Sequence, residues 1–398
     1  MTTEIVKEQL DKVKSQAIEH MTFAVLGAGH GGLAMAGHLG LMGFNIRLWN
    51  RSFERIRPVK IRGGISISGD DVHGFGRVRM ITNDIGEAVS EVDVVMVAVP
   101  AIAHAEIARR CAPFLHDGQI VILNPGRTGG ALEFVRVLRE ENIQAYPIVT
   151  EAQTFLYASR ALGPAEAKIF RMKNSVPLAT LPCHWIPDVI DIIRPAFPQF
   201  VPGDNVLKTS LDNIGAVFHP ALTVMNAGWI EETYGDFEYY MQGVTPSISK
   251  ILEKVDAERV AVAGALGIRG LTAREWLYLA YDAVGKDLFQ AMHDNPGYRG
   301  IMAPDKLAHR YIEEDVPMSL VPISSMGDML NIPTPTMKSI IQMASLMHER
   351  DYFSEGRNVE RMGIAGLTIQ QIRLLCVQGW IFEGSHEKSQ FEGKDIEI

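Results

Sequence analysis

The sequence predicts a protein of two parts: an α/β N-terminal domain on a parallel, doubly wound sheet, followed by an all-α C-terminal domain. Three observations predict it. Short apolar runs alternate with helical stretches from Thr22 to about residue 205. A glycine-rich turn joins the first of those runs to the first of those helices. Beyond residue 205 the alternation stops and helical periodicity takes over. The 398 residues also exceed what one ordinary core organises. The expected division is an N-terminal helical extension over 1–20, the α/β domain over 21–205, the helical domain over 206–382 and a polar tail over 383–398.

Each element has its own local reason. Val6, Leu10, Val13 and Ala17 recur at helical spacing, so residues 1–20 are expected to form a helix that packs on the body or on a second subunit. "TFAVLGAG" reads as a buried strand and "GGLAMAGHLGLMG" as a helix of small residues. "NIRLWN", "VRMIT", "DVVMVAVP" and "QIVILNPG" continue the strands. In the second half, "SISKILEKVDAERVAVAGALG", "TAREWLYLAYDAVGKDLFQAM" and "TPTMKSIIQMASLMHERDYF" each read as a helix, with "TP" before the first as its start. The closing "EGSHEKSQFEGKDIEI" is polar throughout and is expected to fray.

Composition narrows the function classes. Hydrophobic residues make up 47% and charged residues 21%, an ordinary globular balance. A formal net charge of −9 argues against general attraction to nucleic acid or a membrane surface. The longest apolar runs are too short to span a bilayer, and the charged N-terminus has no signal-peptide pattern. Cys111, Cys183 and Cys376 are far apart and fit neither a redox nor a metal-ligand spacing. A cytoplasmic protein without a metal centre is expected.

The turn "VLGAGHGG" places Gly27, Gly29 and Gly32 in a G-x-G-x-x-G arrangement between strand and helix. In the Rossmann dinucleotide-binding fold these glycines make the tight turn, admit the pyrophosphate and let helix and strand pack closely. His30 and Gly31 lie inside the same turn, and Val99 and Pro100 end a neighbouring strand, so all are expected around a cofactor. The second strand ends "LWNRS", with no acid to bond a ribose 2′-hydroxyl. Asn50, Arg51 and Ser52 stand there instead. Arg51 favours the 2′-phosphate of NADP(H), with NAD(H) as the alternative.

Further blocks carry a resemblance. "VPAIAHAEIA", "VILNPGRTGGALEF", "SLDNIGAVFHP", "GVTPSISKILEKVDAERVAVA", "NPGYRGI" and "RYIEEDVPMSLVPIS" follow "GAGHGG" in order, from about Thr22 to about Gly379. Together they resemble the opine dehydrogenase family, the octopine/nopaline dehydrogenase group, nearest its bacterial N-(1-carboxyethyl)-norvaline dehydrogenase branch. The resemblance implies a Rossmann domain and a helical substrate domain. It implies that an α-keto acid, pyruvate by default, is joined to an amine and the imine reduced by NADH or NADPH. It further implies that His219 and Asp315 form the catalytic pair and that Arg310 anchors a substrate carboxylate. Two positions depart from the family: Asn50 stands where NAD-using relatives tend to have an acid, and Gly215 stands where some members have asparagine.

Residue chemistry fits those roles. Histidine exchanges a proton near neutral pH, and a carboxylate neighbour holds its tautomer. Arginine grips a carboxylate through two parallel hydrogen bonds. "NPGRTGG" follows a strand, where ligands bind in such folds. Asn124 and Thr128 are therefore expected near nicotinamide or keto acid, Arg127 as a second carboxylate anchor, and Glu151 on the nicotinamide side. Pro220 is expected to begin or kink a helix and so aim His219. His104 reads as a helix-surface residue. Trp229, Tyr234, Trp276, Tyr278 and Tyr298 are candidates for an amine pocket, though their spacing suits a core better. A homodimer through the helical half is expected. The rival readings are a keto-acid reductase that needs no amine and a dinucleotide sensor without chemistry.

Overall fold

The computed structural model describes residues 2–379. The expected polar tail at 383–398 lies outside them. The core of the N-terminal half is an eight-stranded sheet. Its strands run in the spatial order Phe200–Pro202, Val176–Leu181, Ile148–Ala152, Ile120–Leu123, Val94–Val97, Thr22–Leu26, Asn45–Trp49 and Met80–Thr82. The six from Ile148–Ala152 to Met80–Thr82 are parallel. The last two departed from the expected parallel order, because Val176–Leu181 pairs antiparallel with Ile148–Ala152 and parallel with Phe200–Pro202. The chain order reverses between Thr22–Leu26 and Val94–Val97, which opens the crevice where such sheets bind ligands.

A second, four-stranded sheet was not foreseen. It runs Gly74–Arg77, Gly64–Ser68, Glu166–Met172, Tyr157–Gly163. It lies over the helix His30–Leu41, so that helix is enclosed on both sides and its residues from Gly32 to Leu39 are buried. Its small residues have a reason there. A Cβ at Gly37 would stand 2.5 Å from Ile67 Cδ1, and one at Gly40 2.4 Å from the Arg77 carbonyl oxygen. His38 Nδ1 meets the Tyr157 hydroxyl at 3.0 Å. A helix that is apolar all round is a helix buried all round.

The N-terminal helix, Thr2–Lys14, packs on the body of the α/β half. Val6, Leu10 and Val13 are buried, and Lys7 and Lys14 pair with Asp188 and Asp191 at 2.8 and 2.5 Å on the helix Ile186–Ile193.

From Val206 the chain is helical. The long helix spans Pro246–Ala265, with the Thr245 hydroxyl accepting from the Ile248 N–H at its start. The stretch "TAREWLYLAYDAVGKDLFQAM" is two helices, Ala273–Tyr281 and Leu288–Asp294. Asp282 adopts the left-handed conformation that ends the first, and the Asp287 carboxylate caps the second.

Two buried polar clusters join the halves. Arg357 Nε donates to Glu133 Oε2 at 2.7 Å, and its Nη1 donates to the carbonyls of Gly126 and Thr128 at 3.1 and 2.9 Å. Arg361 takes the other Glu133 oxygen at 2.9 Å. Glu151 accepts from the Thr209 and Ser210 hydroxyls at 2.6 and 2.8 Å and from the Ala131 N–H at 3.0 Å. Removing one partner of a buried ion pair strands the other. Arg357→Ala is therefore expected to lower the unfolding free energy by about 3–5 kcal/mol in a urea titration. A loss below about 1 kcal/mol, an ordinary effect of a point substitution, would show that the pair does not hold the halves together.

Candidate active site

The glycine turn has the geometry that a pyrophosphate needs. Gly27 sits at φ +113°, open only to glycine, and a Cβ there would meet the Ala98 carbonyl oxygen at 2.7 Å and Val99 Cγ1 at 2.9 Å. Val99 and Pro100 follow the strand Val94–Val97, so that strand's end abuts the turn. At Gly32 a Cβ would fall 1.8 Å from the Gly27 carbonyl oxygen. At Gly29 it would meet nothing within 4 Å, which leaves free space over the helix N-terminus. Gly31 lies under the Phe155 ring, and His30 Nδ1 accepts from the Ala161 N–H at 2.9 Å.

At the end of the second strand, Asn50 Oδ1 accepts from the Ala28 N–H at 3.1 Å and Nδ2 donates to the Ser52 carbonyl at 3.0 Å. Asn50 thus ties the strand to the turn and keeps one amide hydrogen free for a ligand. Arg51 and Ser52 are exposed beside it. Arg55, which the sequence reading passed over, adds a cation there, its Nε anchored to the Ala28 carbonyl at 2.9 Å.

The other half of the site forms where the two domains meet. His219 projects from the helix Gly215–Met225, and Asp315 lies between the short helix Arg310–Glu313 and the π-helical stretch Val316–Leu320. Such π turns are frequent at functional sites. Pro220 lies inside its helix rather than at its start. His219 Nδ1 and Asp315 Oδ2 are 2.8 Å apart. A carboxylate only accepts, so Nδ1 carries the proton and Nε2 presents a lone pair. The His219 carbonyl accepts from the Thr223 and Tyr239 hydroxyls at 2.7 and 3.0 Å, which fixes the backbone behind the ring.

Asp315 is fully buried, and its other oxygen is paired with Arg127 Nη1 at 2.9 Å. Burial opposes its ionisation, but Arg127 and the His219 hydrogen bond outweigh burial and hold its pKa below the usual carboxylate range. For His219 the balance is reversed: burial pulls the imidazole below its ordinary value, against the hydrogen bond and charge of Asp315. Arg127 adopts a left-handed conformation, φ +59°, in the loop after the strand Ile120–Leu123. Gly215 leaves it room, since a Cβ there would stand 3.2 Å from Arg127 Nη1 and 3.5 Å from His219 Cε1.

Three residues near the pair were missed. Tyr311 stacks on the His219 ring with centroids 4.1 Å apart, and Tyr239 stacks behind Tyr311 at 5.2 Å. Glu314 lies between Arg127 and Arg310, at 3.4 and 3.5 Å, and accepts from the Ala101 N–H at 3.0 Å. Tyr311 and Glu314 stand inside the "RYIEEDVP" block, where alternation with Arg310 and Asp315 was the available signal. Asn213 bonds Ser319 at 2.9 Å and joins the two walls. Arg310 itself is exposed, and its one ion pair among the described residues is the 3.5 Å contact to Glu314.

Several expectations are corrected. Arg127, expected as a second carboxylate anchor, pairs through Nη1 with Asp315 at 2.9 Å and meets Glu314 at 3.4 Å through Nη2, while its Nε has no partner among the described residues. Thr128, expected near nicotinamide or keto acid, is fully buried, its hydroxyl donating to the Ser210 carbonyl at 3.2 Å across the domain junction. Glu151 is also buried, with both oxygens held as described above, and burial raises its pKa. Its partners Thr209 and Ser210 lie on the helix Val206–Leu211, so it joins the two domains. His104 is fully buried rather than on a helix surface, and burial, then Arg357, lowers its pKa to about 3. Among the aromatics, Tyr298 is core, stacked on Tyr240 at 4.2 Å, and Trp276 meets Phe218 and Tyr281 edge-on. Trp229 stacks on Phe237 at 3.9 Å, while Tyr234 and Tyr278 are exposed. Asn124 is buried at its strand end, and its Oδ1 has no partner.

Residues 202–348 match the family described as NAD/NADP octopine/nopaline dehydrogenase, alpha-helical domain. Residues 22–150 match the N-terminus of NAD-dependent glycerol-3-phosphate dehydrogenase. The opine dehydrogenase of Arthrobacter sp. (strain 1C) is 40% identical over 358 residues, which cover 89% of this chain and 99% of that protein. Among solved structures, octopine dehydrogenase with NADH and L-arginine superposes with a TM-score of 0.74 at 20% identity, over 88% of this chain and 97% of that one. Yersinopine dehydrogenase bound to NADP+ gives 0.66 at 15% identity, over 91% and 99%.

Proposed function

The chain belongs to the opine dehydrogenase family and is an NAD(P)-dependent oxidoreductase, and on that footing we propose that it condenses an α-keto acid with the amino group of an amino acid. The net reaction joins keto acid, amine, NAD(P)H and one proton to give the N-(carboxyalkyl)amino acid, NAD(P)+ and water. The observation that carries this reading is the His219–Asp315 pair, whose neighbour Glu314 bonds the Ala101 N–H just past the strand that abuts the glycine turn, and whose Nε2 has no hydrogen-bond partner among the described residues.

The residues present fit a dinucleotide. Gly29 leaves space at a helix N-terminus, and the orphan Asn124 Oδ1 offers a buried acceptor. Gly27, Gly29, His30, Gly31 and Gly32 would hold the pyrophosphate, with Val99 and Pro100 alongside, Asn124 the nicotinamide side, and Asn50, Arg51 and Ser52 the adenosine end. When bound, the dinucleotide supplies the hydride, or accepts it in the reverse direction. Arg310 holds the keto-acid carboxylate and sets its carbonyl toward His219. Nε2 takes a proton from the ammonium of the incoming amine as the carbon–nitrogen bond forms and delivers it to the oxygen that leaves as water, the reverse order holding during oxidation. Asp315 fixes the ring and stabilises its charged form, and Arg127 keeps Asp315 ionised. The exposed Arg51 and Arg55 favour NADPH over NADH.

We also hold the protein to be cytoplasmic and a homodimer. No helix among the described residues is long and apolar enough to cross a membrane. Tyr278, Leu279 and Val284 form an exposed apolar group on the helical half, and light scattering that returned a monomer's mass would remove the dimer.

The function is tested by NADPH and NADH oxidation with pyruvate, with and without a pool of amino acids. Oxidation that needs both pyruvate and an amine, faster with NADPH, is expected. His219→Ala should reduce kcat by about 10²–10⁴-fold with little change in cofactor affinity. Oxidation with pyruvate alone would identify a simple keto-acid reductase. Cofactor binding without turnover would identify a dinucleotide sensor.

A further inference from the structure

An N-(carboxyalkyl)amino acid carries two carboxylates, and the site described so far offers one exposed cation beside the pair, Arg310, which meets Glu314 at 3.5 Å. Arg127 is engaged by Asp315 and Glu314. A second cation stands beside the segment whose Phe155 ring covers Gly31 of the glycine turn. Lys173 directly follows the strand Glu166–Met172, and its N–H donates to the Leu156 carbonyl at 3.0 Å. That bond ties it to the segment leaving the carboxyl end of the strand Ile148–Ala152, the ligand end of the sheet. Its side chain is half-buried, and Nζ donates to Thr154 Oγ1 at 2.5 Å.

No carboxylate pairs with Lys173 among the described residues, and the charged groups that act on it are Arg127 and Arg310. A half-buried ammonium with no counter-charge is unfavourable by itself, and an apolar residue would pack there at lower cost. Burial, then those two arginines, lowers its pKa to about 8. A bound anion would supply the missing counter-charge. Arg310 adjoins Tyr311, which stacks on His219, so the carboxylate Arg310 grips is that of the reacting keto acid.

We propose that Lys173 binds the α-carboxylate of the amine substrate, so that the enzyme selects α-amino acids over plain amines. This rests on the opine reading of the site. The ammonium donates charge-assisted hydrogen bonds to that carboxylate, and Thr154 holds the lysine in place. No bond is made or broken at Lys173; it orients the amino nitrogen toward the keto carbon.

The test compares the amino acid giving the fastest oxidation with the amine in which hydrogen replaces its carboxylate, in wild-type enzyme, Lys173→Met and Lys173→Arg. The wild type should prefer the amino acid. Lys173→Met should lower kcat/KM for the amino acid by about 10–100-fold through KM, as expected for a lost hydrogen bond to a charged group. It should leave the KM of pyruvate and the turnover of the plain amine within about 3-fold, a change too small for a lost charged contact. Lys173→Arg should retain most of the preference and confirms that the fold tolerates change there. Equal losses for amino acid and amine, or a rise in the pyruvate KM alone, would overturn the assignment. Wild-type enzyme without amine-dependent oxidation would overturn the opine reading itself, which separates that failure from failure of the lysine assignment.

Discussion

The site depends on one buried charge. Asp315 has no contact with solvent, yet it is held ionised by Arg127 on one oxygen and by His219 on the other. Burying a lone carboxylate costs several kcal/mol, so neither partner is dispensable. Arg127 must then be buried as well, which accounts for its left-handed backbone and for the absence of a Cβ at Gly215. Arg357 clasps the carbonyls on either side of Arg127 and is neutralised in turn by Glu133. The polar groups of the junction follow from where that carboxylate stands.

The pair is also an inter-domain device. Arg127 belongs to a loop of the α/β half, while His219 and Asp315 come from the helical half. The ion pair at the charged Asp315, Arg127 Nη1 to Oδ1 at 2.9 Å, therefore spans the two halves. Glu151 performs the complementary task from the sheet, gathering two hydroxyls of the helix Val206–Leu211. Arg127 and Glu151 both sit where a ligand contact was expected, and each also bonds across the domain junction.

What the sequence made legible was local. Strand, glycine turn and helix follow one another within a few residues, so Gly27, Gly29 and Gly32 could be read for their mechanics. His219 and Asp315 are 96 positions apart, and no spacing rule joins them; only the resemblance paired them. The four-stranded sheet was invisible for the same reason, since Gly64–Ser68 pairs with Glu166–Met172 across about a quarter of the chain. The burial of Thr128 and Glu151 was not legible because a strand end signals proximity to ligand but says nothing of burial. His104 erred the other way, as a polar residue in an amphipathic helix that turned out to face inward. Lys173 carried no motif at all and became visible through its neighbours.

The central claim is that Asp315 holds His219 as the neutral tautomer with Nε2 bare. Nitrogen-15 NMR of histidine-labelled protein, with the His219 resonances assigned by their loss in His219→Gln, reads this directly. Near neutral pH the account predicts a protonated Nδ1 and an Nε2 shifted to the unprotonated range. A proton on Nε2 with a bare Nδ1 would contradict it, because a carboxylate at Nδ1 could not then be the partner that orients the ring.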